Sequence, residues 1–308
     1  MSTNERTAES RFASIEETLS EPFLAAARAI DELVVRYQLP DHTQLNRERF
    51  PWAEGILSEP AFYASRLWEY PYAILSAELQ PGMKVADIGC GMTGFTPYLK
   101  DVAGCDATGV DPDLFEEGIK FGGHGVNQTF LRSTGLKVLR GGMEALPLED
   151  ESQDRVFCIS VIEHVPHTIA RRGMQEMARV LKPGGRAVVT MDVNMWSEIN
   201  RPLDLVWESG LLLPGGLDLR WPKRRFGIFA DGQQPADVIG FVLHKSAERV
   251  ETQYRDEGER AEEVPLHLVP TLRPREDEKA APPPPPPRPL WRRVGGRILR
   301  EARKAGGK

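Results

Sequence analysis

The chain has 308 residues, a net charge of −6 and 41% apolar residues, which suits one large domain with extensions or two small ones. It holds no run of eighteen apolar residues, so no membrane-spanning helix is expected, and its first twenty residues do not read as a secretory leader. Three cysteines, Cys90, Cys105 and Cys158, fall near predicted strands; an odd, scattered set excludes a disulfide framework and fits small buried side chains in a reducing cytosol.

Residues 1 to about 10 are expected to be disordered. From Phe12 to Tyr37, Phe23, Leu24, Ala27, Ile30, Leu33 and Val34 recur at helical spacing, with Pro22 beginning the second helix of the segment. Another helical stretch is predicted from Leu57 to Leu79 and carries Arg66-Leu67-Trp68-Glu69-Tyr70. Gln80-Pro81-Gly82 then turns into the first strand of an alternating series. Strands near 83–88, 106–110, 136–140, 155–160 and 186–191 alternate with helices near 94–101, 113–120 and 168–181, the pattern of a parallel sheet covered on both faces. Lys182-Pro183-Gly184-Gly185 is read as the turn between the last helix and strand. A helix over Leu203–Leu213 and a closing strand over Val238–Leu243 complete the body. From Ser246 onward apolar residues become scarce, and Pro282 to Pro287 form an unbroken run that favours extended chain over a core.

The chemistry concentrates where two of these strands end. Asp87-Ile88-Gly89-Cys90-Gly91-Met92-Thr93-Gly94 is an acidic strand end that turns through glycines into a helix, where free N–H groups favour an anionic ligand group. Twenty-four positions later Asp111 ends the second strand, placed to accept hydrogen bonds from ribose hydroxyls. Gly89, Gly91 and Gly94 also satisfy the dinucleotide fingerprint G-x-G-x-x-G. The carboxylate of Asp87, however, would repel a pyrophosphate and suits an ammonium group. Two further motifs follow in order, Ile162-Glu163-His164-Val165 and Leu181-Lys182-Pro183-Gly184-Gly185.

With these motifs, residues 80 to 193 resemble the class I S-adenosylmethionine-dependent methyltransferases, in the branch carrying D-x-G-C-G, L-E-H-V and L-K-P-G-G. The resemblance implies an α/β fold: a Rossmann-like, doubly wound, seven-stranded sheet with a reversed hairpin at its edge. A helical N-terminal cap (1–80), the methyltransferase domain (81–245) and a disordered proline-rich linker with a basic tail (246–308) are the domains expected. S-adenosyl-L-methionine is the cofactor implied. Asp87, Gly89, Cys90 and Gly91 would hold its methionine part, Asp111 its ribose, and Pro112 would lie on the adenine. The loop Gly141-Gly142-Met143-Glu144 matches one in which relatives place an aspartate on the adenine amino group; here the Met143 backbone or Glu144 would take that role beside Gly142. Arg66, or Tyr70, is assigned to the methionine carboxylate, while Ser160 and His164 would face the transferred methyl. His164 is the catalytic candidate, with a structural hydrogen-bonding role as the alternative. Two departures stand out: the third glycine is displaced by one position, and Gly142 replaces the usual aspartate. No His, Cys, Asp or Glu spacing suits a metal.

The function expected is methyl transfer, by O-methylation, to a small-molecule or glycan acceptor. A nicotinamide-dependent oxidoreductase and a catalytically silent cofactor-binding protein tethered by its tail remain as alternatives. Residues 288–308 hold eight basic residues against Glu301, a net of +7 that leaves −13 for the rest, so the main body is a poor nucleic-acid binder. Apolar residues at helical spacing between those arginines admit three partners: an anionic membrane surface, an acidic partner, or none. The location expected is cytoplasmic, with peripheral contact at the inner face of a membrane if the first applies.

Overall fold

A computed structural model describes residues 9–39, 66–114, 126–193, 202–220 and 237–247. The N-terminal residues expected to be disordered, most of the helix expected over 113–120, the proline run and the basic tail lie outside the described residues. The elements are, in chain order, β1 (Ser10–Phe12), α1 (Ile15–Thr18), α2 (Glu21–Tyr37), α3 (Arg66–Ser76), β2 (Lys84–Ile88), α4 (Phe95–Asp101), β3 (Asp106–Asp111) and α5 (Gln128–Thr134). There follow β4 (Lys137–Arg140), β5 (Gln153–Ile159), a 3₁₀ turn (Ile162–His164), α6 (His167–Val180), β6 (Leu181–Val193), α7 (Pro202–Ser209), β7 (Leu217–Asp218) and β8 (Asp237–His244).

The strands form one sheet in the order β4-β3-β2-β5-β6-β8-β1-β7. The five from β4 to β6 run parallel, and β8 is antiparallel to β6. Strand order reverses between β2 and β5, and the crevice outside the carboxyl ends at such a switch point is where open α/β sheets bind ligands. Alternation along each strand divides the core. Val85, Phe157, Val188 and Val242 pack with α2, α3, α4 and α5, whereas Ala86, Cys158, Val189 and Phe241 pack with α6 and α7. Both faces are therefore covered, as the apolar runs of these strands require.

Two details differ from the sequence reading. The sheet has eight strands instead of seven, because the N-terminal segment expected as a helical cap also contributes β1, which lies antiparallel against the outer edge of β8. Among the described residues the outer neighbour of β8 is thus β1 and not a hairpin strand; Val242 N–H donates to Ser10 Oγ across it at 2.9 Å. Lys182–Gly185, read as a turn, lies within β6: Leu181 already pairs with Gln153, and register resumes at Arg186 opposite Arg155. Proline cannot donate to a ladder, so the four residues bulge, Gly184 taking a φ of 76°.

The helices follow from their sequences. α2 carries Pro22 in its first turn, where the missing N–H costs nothing, and buries Phe23, Ala26, Ala27, Ile30, Leu33 and Val34 along one stripe. α3 is apolar nearly all round and is buried from Leu67 to Ile74 despite Pro71 within it. It seats on β8 because Gly240 has no side chain: a Cβ there would lie 2.3 Å from Tyr72 Cε1. Trp68, fully buried, stacks on Tyr72 at 4.2 Å and donates from Nε1 to Glu17 Oε2 at 2.7 Å.

Candidate functional site

The turn after β2 and the end of β3 are built as one unit. Gly89 and Cys90 both donate their N–H to the Val110 carbonyl, at 2.7 and 3.3 Å. Gly89 and Gly91 adopt left-handed φ values of 70° and 53°, and a Cβ on Gly89 would lie 2.5 Å from Val161 Cγ2. Glycine is required there by both backbone and space. The contact with Val161 also brings the segment after β5 against the glycine turn.

Asp87 is buried at the end of β2 and accepts from Thr96 Oγ1 of α4 at 2.6 Å. Burial raises its pKa to about 7; the Thr96 hydrogen bond opposes the rise and the charge of Asp111 adds to it. Asp111 accepts from Gly91 N–H at 3.0 Å through Oδ2 and from Asp113 N–H at 2.9 Å through Oδ1. The Gly91 amide, expected to face the methionine part of a cofactor, is thus turned to Asp111. Cys90 is buried, its thiol pushed well up first by burial and then by Asp87 and Asp111; it packs against Gly109, where a Cβ would lie 2.6 Å from its Sγ. Pro112 is exposed beside the pair.

The loop after β4 differs from the expected arrangement in its side chains. Met143 is buried against Gly173 of α6, in the core of the opposite layer, which leaves only its backbone for recognition. The Glu144 carboxyl folds back over Gly142, so closely that a Cβ on Gly142 would lie 2.4 Å from Glu144 Oε2. A side chain at position 142 would require that carboxyl to move aside.

A third group gathers at the ends of β5 and β6. Ser160 takes a left-handed φ of 53°, directing its hydroxyl to donate to Glu163 Oε1 at 2.6 Å. The Asp192 N–H donates to the same oxygen at 3.1 Å. Glu163 Oε2 and Asp192 Oδ1 are buried and have no hydrogen-bond partner. Burial, together with their mutual repulsion and Glu69, holds both carboxyls well above the usual carboxylate range. Across from them Glu69 is fully buried, paired with Arg66 and accepting from Thr190 Oγ1 at 2.7 Å. Burial works against the charge of Arg66, yet Glu69, Tyr70, Glu163 and Asp192 more than offset it, and its guanidinium lies 5.9 Å from the Tyr70 ring centre. The side chain of His164 is 65% exposed, with Nε2 4.0 Å from Glu163 Oε1. Desolvation and then Arg66 lower its pKa, while Glu69 opposes.

Sequence reasoning missed Glu69, Thr190 and Asp192 as members of the site, and gave Glu163, within the stretch from Ser160 to His164 placed there, no role of its own. Among the described residues no group of three His, Cys, Asp or Glu side chains could hold a metal.

A family described as a methyltransferase domain matches residues 86–189, which run from β2 through β6 and include all three groups except Arg66, Glu69, Thr190 and Asp192. Over residues 86–189 the chain is thus similar to a methyltransferase domain. Similar proteins include a sterol 24-C-methyltransferase of Gibberella zeae, 33% identical over 108 residues, covering 35% of this chain and 27% of that protein. An uncharacterized methyltransferase of Mycobacteroides abscessus is 34% identical over 150 residues, 47% of this chain and 52% of its own. The chain therefore spans between about a quarter and about half of the length of these curated relatives. Among solved structures, a phosphoethanolamine N-methyltransferase 2 of Haemonchus contortus with phosphomonomethylethanolamine and S-adenosylhomocysteine aligns at a TM-score of 0.44 and 13% identity, covering 68% of this chain and 61% of that one. The methyltransferase domain accounts for the glycine turn, both strand-end acids and the segment after β5, while Arg66 and Glu69 come from α3, outside the matched residues.

Proposed function

We propose that this protein is an S-adenosylmethionine-dependent methyltransferase that methylates a hydroxyl of a small-molecule or glycan acceptor. The observation that carries the reading is the methyltransferase-domain match over residues 86–189, laid on a glycine turn enclosed by Asp87 and Asp111 at the switch point of the sheet. A buried acid whose pKa is raised repels a pyrophosphate whenever it is charged, which argues against a nicotinamide dinucleotide. Gly89 lets the turn close against Val161, which brings the segment after β5 beside the strand-end acids.

The cofactor supplies an activated methyl on a sulfonium, so positioning provides most of the catalysis, with effective molarities on the order of 10⁵–10⁸ M. Asp87, Gly89, Cys90 and Gly91 hold the methionine part and Asp111 the ribose, with Pro112 on the adenine. The backbone of Gly142, Met143 and Glu144 borders the adenine edge. Arg66 closes the site from α3, its charge already balanced by Glu69. Ser160 and His164 stand on the acceptor side. The sterol relative by its name has a small lipid acceptor, which favours a small molecule over a macromolecule.

Calorimetry with S-adenosylhomocysteine tests the reading. Micromolar binding is expected, with Asp111→Asn weakening it by roughly 1–3 kcal/mol. Asparagine keeps an acceptor for one of the two backbone amides that Asp111 now holds, so a folded variant is expected. Binding of NADH with no response to S-adenosylhomocysteine would overturn it.

A further inference from the structure

Glu163 Oε1 is saturated by the Ser160 hydroxyl and the Asp192 amide, and both hold the carboxyl in one orientation. Its other oxygen is buried and unpartnered, as is Oδ1 of Asp192, which joins the same cluster from the end of β6. Burying an acceptor without a donor costs on the order of 1–3 kcal/mol for each group, so two together at the carboxyl end of the sheet call for a ligand that donates. They stand on the side of the glycine turn where Val161 abuts Gly89, two residues before Glu163. We propose that Glu163 Oε2 and Asp192 Oδ1 form the seat of the acceptor's hydroxyl group and receive its proton during methyl transfer. The proposal rests on the methyltransferase reading and adds the substrate's reacting group and the residues that bind it.

The hydrogen-bonding capacity of the pair favours a neutral hydroxyl over an ammonium. Arg66 and Glu69 face it from α3, His164 from the 3₁₀ turn, and Ser160 and Thr190 from the ends of β5 and β6. Arg66 is already paired with Glu69, so the discrimination falls to the hydrogen-bonding capacity of the carboxyl pair. The raised affinity of both carboxyls for protons lets the pair keep one near neutrality. A carboxyl beside a carboxylate offers one donor and one acceptor, as a hydroxyl does, whereas an ammonium offers donors alone. As the acceptor oxygen bonds to the methyl carbon, the carbon–sulfur bond breaks with its pair left on sulfur. The O–H bond gives its pair to the oxygen, and the proton passes to the deprotonated carboxylate. Asp192, less enclosed than Glu163, is placed to take it.

Glu163→Gln and Asp192→Asn test this with three readouts. Affinity for S-adenosylhomocysteine should stay within about threefold of wild type; failure of the wild type itself to bind would count against the cofactor reading alone. Thermal unfolding at pH 8 should show both variants melting higher, since they replace unpartnered buried acids with neutral amides. Radiolabelled methyl transfer is then measured to dodecanol, cholesterol and methyl glucoside, with dodecylamine and ethanolamine as amine counterparts. Wild type should methylate a hydroxyl probe, and each variant should turn over at least about a hundredfold more slowly, the scale of a lost proton acceptor. Three results would overturn the proposal: lower melting of both variants, which marks a structural network; undiminished variant turnover; or a wild type that binds S-adenosylhomocysteine yet methylates only amines or no probe.

Discussion

Asp87 shows how one residue couples the site to stability. Its folded pKa, about 7, lies above the ordinary carboxylate value of 3.8, so between these values the folded state holds a proton that the unfolded chain has released. The stabilisation is full below about pH 4 and is lost as pH rises through 7, at about 1.4 kcal/mol for every tenfold difference in proton affinity between the folded and unfolded chain. Asp87→Asn should therefore melt higher than wild type at pH 8 and lose that difference at pH 4, while binding S-adenosylhomocysteine more weakly; equal melting curves across this range would refute the assignment. His164 is the opposite case, an exposed imidazole whose lowered pKa leaves it neutral at pH 7. Because positioning carries most of the reaction, His164→Ala should reduce kcat by less than about a hundredfold with unchanged cofactor affinity, and a loss of thousands would make it the base. The glycine turn and its two acids were legible because that chemistry is spelled in contiguous residues. The carboxyl group at the ends of β5 and β6 was not: Thr190 meets Glu69 across 121 positions, and Asp192 sits unremarked behind an apolar strand. The motif assigned the adenine edge to the Met143 backbone; that its side chain fills the space left by Gly173 in the other layer was not legible.

At the scale of elements, the strands and helices that alternate from 83 to 191 were readable because strand and helix periods differ and glycine or proline punctuates them. β1 was not, since three residues carry no period. Its stability comes from specific pairings: Ser10 is wholly buried and accepts from Val242 N–H, and Tyr72 donates its hydroxyl to the Glu9 carbonyl at 2.7 Å. Ser10→Ala leaves that amide without its acceptor in a dry interface, so unfolding in urea should show a loss of roughly 1–3 kcal/mol. A change below about 0.5 kcal/mol would mean that β1 is peripheral to the fold.

For the whole molecule, the acidic body and the basic tail are the main asymmetry. None of the described helices is long and apolar enough to cross a membrane. We propose that residues 288–308, outside the described residues, give weak reversible contact with anionic lipid, each basic residue adding on the order of 1 kcal/mol near the surface. Flotation with anionic liposomes at physiological salt should recover the full chain and leave a truncation at Ala281 behind; equal recovery of both would discard the idea.

The position of β1 also sets a timetable for synthesis. Ser10 is translated 232 positions before its partner Val242. β1 can meet β7 only after residue 218 and β8 only after residue 244, so it joins the sheet late and the sheet is sealed only then. A nascent chain arrested before Asp237 should remain open to protease at residues 9–39, and release of the completed β8 should close that window in one step.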